Sequence, residues 1–385
     1  MEKGWLNPRS RNDIRRRVSN SLVCPARTGA HRILVISLAG VGDTLICTPL
    51  IRDLRAIFPA ATIDAFVLWP ASRDLLLGNT NLNEVFQINL LKTSKLEGLK
   101  FLGSLRARHY DISINSHPQS RTGYRIIARL IGAPVRLSHT YDRSSILDPL
   151  LVTHSLPQDY TIHSVENNSR LLQLLAPAPL VPAQAFEVFL DSAEVAWARQ
   201  FAQTSRLAGK KVVGLHVGSG TTKNLALKRW PLANYQQLIQ RGLAEDPRTL
   251  FLLFGGPEER QDHQSILDLH GSSRVLAPET KNLRQAAALL RECSAFVSVD
   301  TALMHLAAAM CVPNQIVIEA PTLNKTNEPY GNPFFLVRNP AIQGRHLEFY
   351  RYDGRGIQGS REELLRCMAS VTVEAVWQTL SARLG

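Results

Sequence analysis

The sequence predicts an α/β protein of two units, each built around an open, doubly wound sheet of parallel strands. Short apolar segments alternate with segments of helical spacing, and glycine or polar residues separate them. The alternation weakens between Pro149 and Pro182, where prolines cluster, and then starts again. Two such units joined by a linker are expected to leave a cleft between facing sheet edges.

Length and composition agree with this organisation. At 385 residues and 45% hydrophobic, the chain can bury a large core and is expected to form two domains. No apolar run reaches the length of a membrane span, and the amino terminus has no apolar signal core, so we expect a cytosolic protein. Five scattered cysteines without CxxC spacing predict free thiols, and neither a zinc site nor a disulfide framework.

Residues 1–31 are a basic arm within a chain of net charge +12. Ile14, Val18 and Leu22 repeat every four residues, which fits a short amphipathic helix on an anionic membrane face. A disordered basic arm is the alternative, because the apolar face is thin. Nucleic acid is not expected as a partner, since Trp5 is the only aromatic residue among these charges.

The first unit opens with a strand over residues 33–38, a glycine loop over 39–43 and an amphipathic helix over 48–58. Gly40 and Gly42 allow a ligand close to the backbone, and Asp43 is the only side chain expected to be charged between Arg32 and Arg52. The loop is neither a GxGxxG dinucleotide fingerprint nor a Walker loop. Asp43 is therefore a candidate catalytic carboxylate, with a helix cap as the alternative.

The alternation continues with strands over 62–68, 84–88 and 112–115, and with helices over 70–78, 97–108 and 122–131. Ser116, His117 and Arg121 follow the last of these strands. Because parallel strands end at the same sheet edge, these side chains are expected to face the same crevice as Asp43. A surface loop is the alternative for each.

The second unit begins with a capping box, Asp191 with Glu194, on a helix that ends near Gly209. Strands over 212–216, 249–254, 274–276 and 295–300 then alternate with helices, one of them over 283–290. A glycine-rich basic segment with hydroxyl groups follows the first strand, and its backbone N–H groups, hydroxyls and positive charges suit the oxygens of a diphosphate. A solvated basic loop is the alternative. The residues are Gly218, Ser219, Gly220, Thr221, Thr222, Lys223, Lys228 and Arg229. Glu258 and Glu259 follow the second strand, where a carboxylate can bind ribose hydroxyls or serve as a first-turn helix charge.

The segment 293–313 changes from strand to helix at Asp300 and Thr301, both good capping residues. This junction aims backbone N–H groups and the positive end of a helix dipole into the crevice, so it is a candidate anion site. His305 lies one turn further, on the face of Thr301. An ordinary capped helix with a satisfied histidine is the alternative.

Taken together, these motifs resemble the bacterial lipopolysaccharide heptosyltransferases of glycosyltransferase family 9. The pieces occur in the family's order between about Arg32 and Val337, and they are VGDTLICTPLIRDLRAIFPAATIDAFV, HVGSG leading to KRWP, FGGPEE, DTALMHLAAA, and PT before PYG. The resemblance implies a GT-B fold and a metal-independent, inverting transfer of heptose from ADP-heptose to a glycan or glycolipid acceptor, with no cofactor. It implies Asp43 as general base, Gly42 on the acceptor side, and Thr222, Lys228, Asp300, Thr301 and His305 around the ADP.

Residues 32–185 are expected to form the acceptor unit and 186–345 the donor unit. The tail over 346–385, which the resemblance does not cover, is expected to include a helix that packs back on the first unit. Two departures bear on the donor: Ala302 stands where the family usually has glycine, and Glu319 places a carboxylate in the segment before the Pro-Tyr-Gly turn. Arg52, Arg55, Arg121 and Arg125 are expected to meet acidic groups of an acceptor held in the inner membrane leaflet. Nucleotide-sugar epimerisation, and nucleotide-sugar binding without turnover, are the alternative functions.

Overall fold

The computed structural model describes residues 31–142, 145–175, 185–220, 225–271, 273–342 and 359–384. Among them, no helix is both long enough and apolar enough to span a lipid bilayer. The basic arm, apart from residue 31, the prolines clustered around residues 176–182, and Thr221, Thr222 and Lys223 lie outside the described residues.

The first unit contains six parallel strands in the spatial order β3-β2-β1-β4-β5-β6. The strands are β1 (Arg32–Ser37), β2 (Thr62–Val67), β3 (Glu84–Gln87), β4 (Ile112–Asn115), β5 (Val135–Thr140) and β6 (His154–Pro157). The helices are α1 (Val41–Ile46), α2 (Thr48–Ile57), α3 (Pro70–Leu76), α4 (Lys95–Arg106), α5 (Thr122–Ile131), α6 (Asp148–Leu151) and α7 (Ser164–Arg170), and a 3₁₀ turn, Leu171–Leu174, follows.

Helices cover both faces of this sheet, which explains why its central strand reads as a continuous apolar run. Successive side chains of a strand point to opposite faces. Ile33 and Val35 of β1 pack with α2 on one face, and Leu34 and Ile36 pack with α4 and α5 on the other. A strand buried on both faces has no polar side to expose, so the alternation of an exposed sheet is absent.

The second unit repeats the architecture in the order β12-β11-β10-β7-β8-β9. Its strands are β7 (Lys211–His216), β8 (Thr249–Phe254), β9 (Val275–Leu276), β10 (Ala295–Ser298), β11 (Gln315–Ile318) and β12 (Phe334–Val337). Its helices are α8 (Ser192–Thr204), α9 (Leu232–Glu245), α10 (Arg260–His270), α11 (Leu283–Leu290), α12 (Ala302–Ala309), α13 (Arg361–Ala369) and α14 (Val373–Leu384), with 3₁₀ turns at Leu225–Lys228 and Pro257–Glu259. The prediction of two doubly wound parallel sheets is confirmed.

The described part of the tail packs on the second unit, contrary to our expectation that it would return to the first. Met368, Trp377 and Leu380 are buried in the core of the second unit. The indole Nε1 of Trp230 donates to the carbonyl of Val371 at 2.8 Å. The apolar faces of α13 and α14 therefore complete the second sheet's helical layer.

The two units touch along one side of the cleft. The backbone N–H of Ser164 donates to the carbonyl of Thr326 at 2.9 Å, and Nε2 of His163 donates to the carbonyl of Glu328 at 2.9 Å. The His163 ring also stacks on Tyr330 with centroids 4.5 Å apart. These contacts fix the relative placement of the two sheet edges that form the site.

Several buried histidines make the fold sensitive to acid. Burial lowers the pKa of His139, His163 and His216 to about 3 and that of His305 to about 4, against an ordinary 6.5. Below pH 6.5 these histidines bind protons in the unfolded chain but stay neutral in the folded chain, so the free energy of unfolding falls as the pH falls. Each such histidine should lower the free energy of unfolding by about 1.4 kcal/mol at one pH unit below its ordinary pKa.

Urea unfolding at neutral pH and at a pH near 5.5 measures this loss. His139→Gln is the matched variant, because a glutamine amide can still donate to the Asn167 carbonyl that His139 Nε2 now contacts at 2.9 Å. Its stability should fall less with acid than that of the parent, by about one histidine's share. An identical fall in both proteins would contradict the assignment.

Candidate active site

The loops that follow the carboxyl ends of the strands of both sheets line one cleft. This cleft lies where the strand order of each sheet reverses. In the first sheet the order reverses between β1 and β4, and in the second between β7 and β10. Ligands of open α/β sheets bind beyond the carboxyl ends of the strands at such a point. The cleft there has a volume of about 560 Å³ and is lined by Leu38, Ala39, Gly40, Val41, Gly42, Asp43, Leu68, Trp69, Leu90, Leu91, Arg121, Tyr124, Ile127, Gly220, Leu225, Lys228, Asp300, Thr301, Ala302, His305, Thr322 and Asn327.

Asp43 lines the cleft from a short helix rather than from the predicted glycine loop. It is the third residue of α1, and its Oδ2 accepts the backbone N–H of Gly40 at 2.6 Å. A side chain at position 40 would come within 2.9 Å of that oxygen. The helix cap is therefore present and the same carboxylate lines the cleft, where its catalytic role stays a prediction.

Gly42 is the point at which α1 of the first unit meets α12 of the second. A Cβ atom at Gly42 would lie 2.8 Å from Cδ2 of His305, closer than real Cβ contacts allow. The His305 ring cannot easily move away, since it is 4% exposed and packs edge-on against Phe186. Gly42 was predicted on the acceptor side, and the structure adds that it lets the two units approach each other.

Gly42→Ala should therefore push the two walls of the cleft apart. We expect a destabilisation of about 1–3 kcal/mol from overpacking and a fall in turnover of roughly tenfold or more. Gly103→Ala is the matched control, because Gly103 lies in α4 and has no heavy atom within 4 Å of its Cβ position. Equal turnover of the two variants would show that the approach of α1 to α12 is not needed for activity.

The second unit contributes a buried ion pair to the cleft. Nζ of Lys228 lies 3.1 Å from Oδ2 of Asp300 and donates to Oγ1 of Thr322 at 3.4 Å. The same carboxylate oxygen accepts from Thr322 Oγ1 at 2.5 Å and from Asn327 Nδ2 at 3.3 Å. Burial acts to raise the pKa of Asp300, but Lys228, Thr322 and His305 outweigh it and hold the pKa below its ordinary value. Asp300 is therefore ionised and keeps the Lys228 ammonium in the cleft.

Thr301 caps α12 as predicted. Its Oγ1 accepts the backbone N–H of Met304 at 3.3 Å and lies 3.0 Å from Nδ1 of His216. The helix therefore begins at Ala302, on the cleft wall, with its positive end towards the cavity. His305 follows within the first turn, and because burial lowers its pKa to about 4, it is neutral at pH 7. His305 offers the cleft hydrogen-bonding groups without a charge.

Of the described residues of the glycine-rich basic segment, Gly220 and Lys228 line the cleft. The space beside Gly218 is filled by Glu259, whose Oε1 would be 2.1 Å from a Cβ there. Glu259 accepts the backbone N–H of Gly256 at 2.9 Å and pairs with Arg229 at 3.4 Å. Gly218, Ser219, Glu258 and Glu259 are not among the cleft-lining residues, so their donor-binding role stays a prediction.

Ser116 and His117 are buried and are not among the cleft-lining residues, contrary to the expectation that they would face the crevice. Both are at most 1% exposed. Ser116 donates to the Ile36 carbonyl at 3.2 Å, and Nδ1 of His117 lies 3.1 Å from the Tyr141 hydroxyl. Burial holds the pKa of His117 well below its ordinary value, and the nearby His139 and His163 lower it further. Of the predicted acceptor residues, Gly42 and Arg121 line the cleft.

The other arginines expected to meet an acidic acceptor are engaged within the protein. Arg125 is 1% exposed and lies 3.5 Å from Asp148, and Arg52 lies 2.9 Å from Asp53. Arg55 donates to the carbonyl of Ala61 at 2.7 Å. Because these contacts satisfy the guanidinium groups internally, none of the three is in position for a ligand in the cleft.

Glu319 is also turned away from the cleft. It is 4% exposed, its Oε2 accepts the backbone N–H of Asn339 at 2.7 Å, and Oε1 lies 3.6 Å from Arg338. Glu319 therefore holds the segment after β12 and places no carboxylate on the cavity wall. Ala302, the other departure, does line the cleft.

Several lining residues were not predicted from the sequence. Trp69 follows β2 at the sheet's carboxyl edge, and its Nε1 donates to the Ala39 carbonyl at 2.6 Å. Tyr124 lies near Arg121 and Asp43, and burial raises its pKa. Thr322 and Asn327 both donate hydrogen bonds to the Asp300 carboxylate. In the sequence, the Pro321–Thr322 pair was the one feature that pointed to this segment. Within the described residues, no group of three or more His, Cys, Asp or Glu side chains is placed to hold a metal ion.

Two facing Rossmann-like sheets with a shared cleft define the GT-B class of glycosyltransferases. The model of glycosyltransferase family 9 (heptosyltransferase) matches residues 99–346, and the chain belongs to this family. Lipopolysaccharide heptosyltransferase 2 of Salmonella typhimurium is 28% identical over 375 residues, covering 91% of this chain and 99% of that protein. Lipopolysaccharide heptosyltransferase 3 of Escherichia coli K12 is 26% identical over 290 residues, covering 71% and 78%.

Solved structures agree on the fold. The glycosyltransferase family 9 protein of Veillonella parvula superposes with a TM-score of 0.72 at 19% identity, covering 95% of this chain and 99% of that one. The Escherichia coli ADP-heptose lipopolysaccharide heptosyltransferase II superposes with a TM-score of 0.65 at 22% identity, covering 92% and 98%.

Proposed function

We propose that this glycosyltransferase moves a heptose from ADP-heptose to a lipopolysaccharide-core acceptor with inversion at the anomeric carbon. The observation that carries the proposal is the arrangement of one cleft. Asp43 lies on the wall from the first unit, and Lys228, Asp300 and the start of α12 lie on the wall from the second. Lipopolysaccharide heptosyltransferases among the curated relatives supply the sugar and the class of acceptor.

In this mechanism, Asp43 takes the proton of the acceptor hydroxyl as its oxygen attacks the anomeric carbon. A new bond forms between that oxygen and carbon while the bond from the carbon to the diphosphate oxygen breaks on the opposite face. Negative charge grows on the departing ADP, where Lys228 and the N-terminus of α12 stabilise it. The proton leaves Asp43 for solvent before the next turnover.

The two walls also differ in the chemistry they offer a substrate. The acceptor side carries Leu68, Trp69 and Leu90 beside Arg121, and the donor side is polar and cationic. A nucleotide diphosphate suits the donor side. A sugar whose apolar face contacts an aromatic ring, and whose acidic groups meet Arg121, suits the acceptor side. We place the reaction in the cytosol, beside the membrane that holds the acceptor.

The test is transfer from ADP-heptose to a delipidated core acceptor, with product mass and anomeric configuration determined by mass spectrometry and NMR. A glycoside of inverted configuration is expected. A panel of nucleotide sugars in the same assay addresses the donor, because Ala302 adds a methyl group on the cleft wall. Transfer from a different nucleotide sugar would reject heptose. Turnover of a nucleotide sugar alone, or ADP binding without transfer, would reject the transferase proposal.

A further inference from the structure

Exposed apolar side chains are concentrated on one side of the first unit. Among the described residues, the exposed large apolar side chains all lie on or next to α4, α5 and α6, apart from Leu269 and Leu365. The exposed set is Leu91, Leu96, Leu99, Ile126, Leu130, Ile146, Leu147 and Leu150. Single exposed leucines are ordinary on a protein surface, whereas a contiguous patch marks an interaction site.

The three helices lie side by side, so their exposed residues form one surface, here named the α4–α6 face. NH1 of Arg106 at the end of α4 donates to the Leu130 carbonyl of α5 at 3.2 Å. Arg125 of α5 lies 3.5 Å from Asp148 of α6. Each helix presents an aliphatic pair spaced by about one turn, Leu96 with Leu99, Ile126 with Leu130, and Leu147 with Leu150.

Basic residues lie among these aliphatic side chains. Lys92, Lys95, Lys100, Arg106 and Arg129 are exposed on the same segments, against the exposed acidic residues Glu97 and Asp142. Lysine is depleted at protein–protein interfaces, and aromatic residues are enriched there. The exposed apolar residues of this face are all leucine and isoleucine. Aliphatic residues interleaved with lysine and arginine instead match the surface of a protein that lies on an anionic bilayer.

The α4–α6 face is continuous with the acceptor side of the cleft. Leu90 and Leu91 precede α4 and line the cavity, and Leu91 is also 75% exposed. Ile127 of α5 also lines the cavity, while Ile126 and Leu130 of the same helix are exposed on the outer surface. When the α4–α6 face lies against a lipid headgroup layer, the mouth of the cleft therefore lies at the same layer.

We propose that the α4–α6 face docks on an anionic lipid bilayer, with its aliphatic side chains at the acyl boundary and its lysines and arginines at the phosphates. The proposal rests on the proposed function in one respect: an acceptor anchored in the membrane explains why this protein would dock on a bilayer. It locates membrane contact on the folded acceptor unit, and not on the arm of residues 1–31, which the sequence left open between a membrane-lying helix and a disordered arm.

The experiment is co-sedimentation of the full chain with vesicles of phosphatidylethanolamine and phosphatidylglycerol in equal parts, without donor. The test variant is Leu96→Gln/Leu99→Gln/Leu130→Gln, and none of these residues lines the cleft. The matched control is Leu269→Gln/Leu365→Gln, which removes the exposed leucines of the second unit. The test variant should bind at least about a hundredfold more weakly, since a leucine side chain contributes on the order of tenfold in partitioning. The control should bind like the parent.

Each outcome decides the proposal. Equal vesicle binding by the parent and the test variant would overturn it. Equal binding to purely zwitterionic vesicles would overturn the anionic preference. If the parent is dimeric without lipid and the test variant is monomeric, the face is an interface between two copies. Transfer to a water-soluble acceptor is measured in parallel and should not change in the variant. If the parent protein transfers no sugar to the water-soluble acceptor, the proposed function is rejected, and the result on vesicle docking is unaffected.

Discussion

Asp43→Asn should lower turnover by roughly a hundredfold to ten-thousandfold and leave donor affinity unchanged, because a positioned general base contributes about that much. Asparagine keeps the shape of the side chain and can still accept the Gly40 N–H that Asp43 Oδ2 now binds at 2.6 Å. What the variant loses is the ability to take a proton. Steady-state transfer kinetics and calorimetric ADP binding separate the two effects.

The control for this experiment is Asp74→Asn in α3, which also removes one carboxylate from the first unit but does not line the cleft. Its turnover should equal that of the parent. Thermal unfolding of Asp43→Asn should match the parent as well, since the helix cap is retained. If Asp43→Asn transfers heptose at the parent rate, Asp43 is a structural cap and the base must be sought elsewhere on the cleft wall.

The sequence predicted the parts of the fold that depend on local pattern. Residues 33–38, 249–254 and 283–290 were placed correctly within a residue or so because their apolar runs and helical spacing are strong. The capping box of Asp191 and Glu194 was also predicted correctly. By contrast, β5 (Val135–Thr140) and β6 (His154–Pro157) were not predicted. They carry arginine, histidine and serine, and their strand conformation is stabilised by pairing with distant neighbours.

The missed strand explains why His117 does not face the cleft as expected. His117 follows β4 at the sheet's carboxyl edge, as predicted, but Tyr141 after β5 stacks on its ring with centroids 5.7 Å apart. Without β5 in the prediction, nothing in the sequence placed a cover over His117. Position at a strand end predicts the edge of the sheet at which a side chain lies, and the neighbouring strands decide whether it is exposed there.

The polar network on the donor side shows a second limit of sequence reasoning. Lys228 and Asp300 are 72 residues apart, and their contact depends on the adjacent positions of β7 and β10 in the sheet. Lys228 was predicted as a catalytic residue beside the diphosphate, and Asp300 was predicted separately as a donor-binding residue. Neither motif indicated that these two side chains bind each other, or that Thr322 and Asn327 complete the network. Side-chain pairing across crossovers follows from topology, which motif spacing does not encode.

Lys228→Ala should weaken ADP binding and slow transfer, and it should also destabilise the fold. The first two effects follow if the ammonium stabilises the diphosphate in both the ground state and the transition state. The third follows because Asp300 is 6% exposed and would lose its cation, and breaking such a buried pair costs about 3–5 kcal/mol. Calorimetry, transfer kinetics and urea unfolding report the three effects separately.

The double variant Lys228→Ala/Asp300→Asn distinguishes a diphosphate-binding lysine from one that only neutralises Asp300. Asparagine at 300 is uncharged and can still accept from Thr322, so much of the lost stability should return. ADP affinity should stay low, because the cation in the cleft is still missing. Recovery of ADP affinity together with stability would mean that Lys228 acts through Asp300 alone, and the diphosphate would then be bound by the N-terminus of α12 without it.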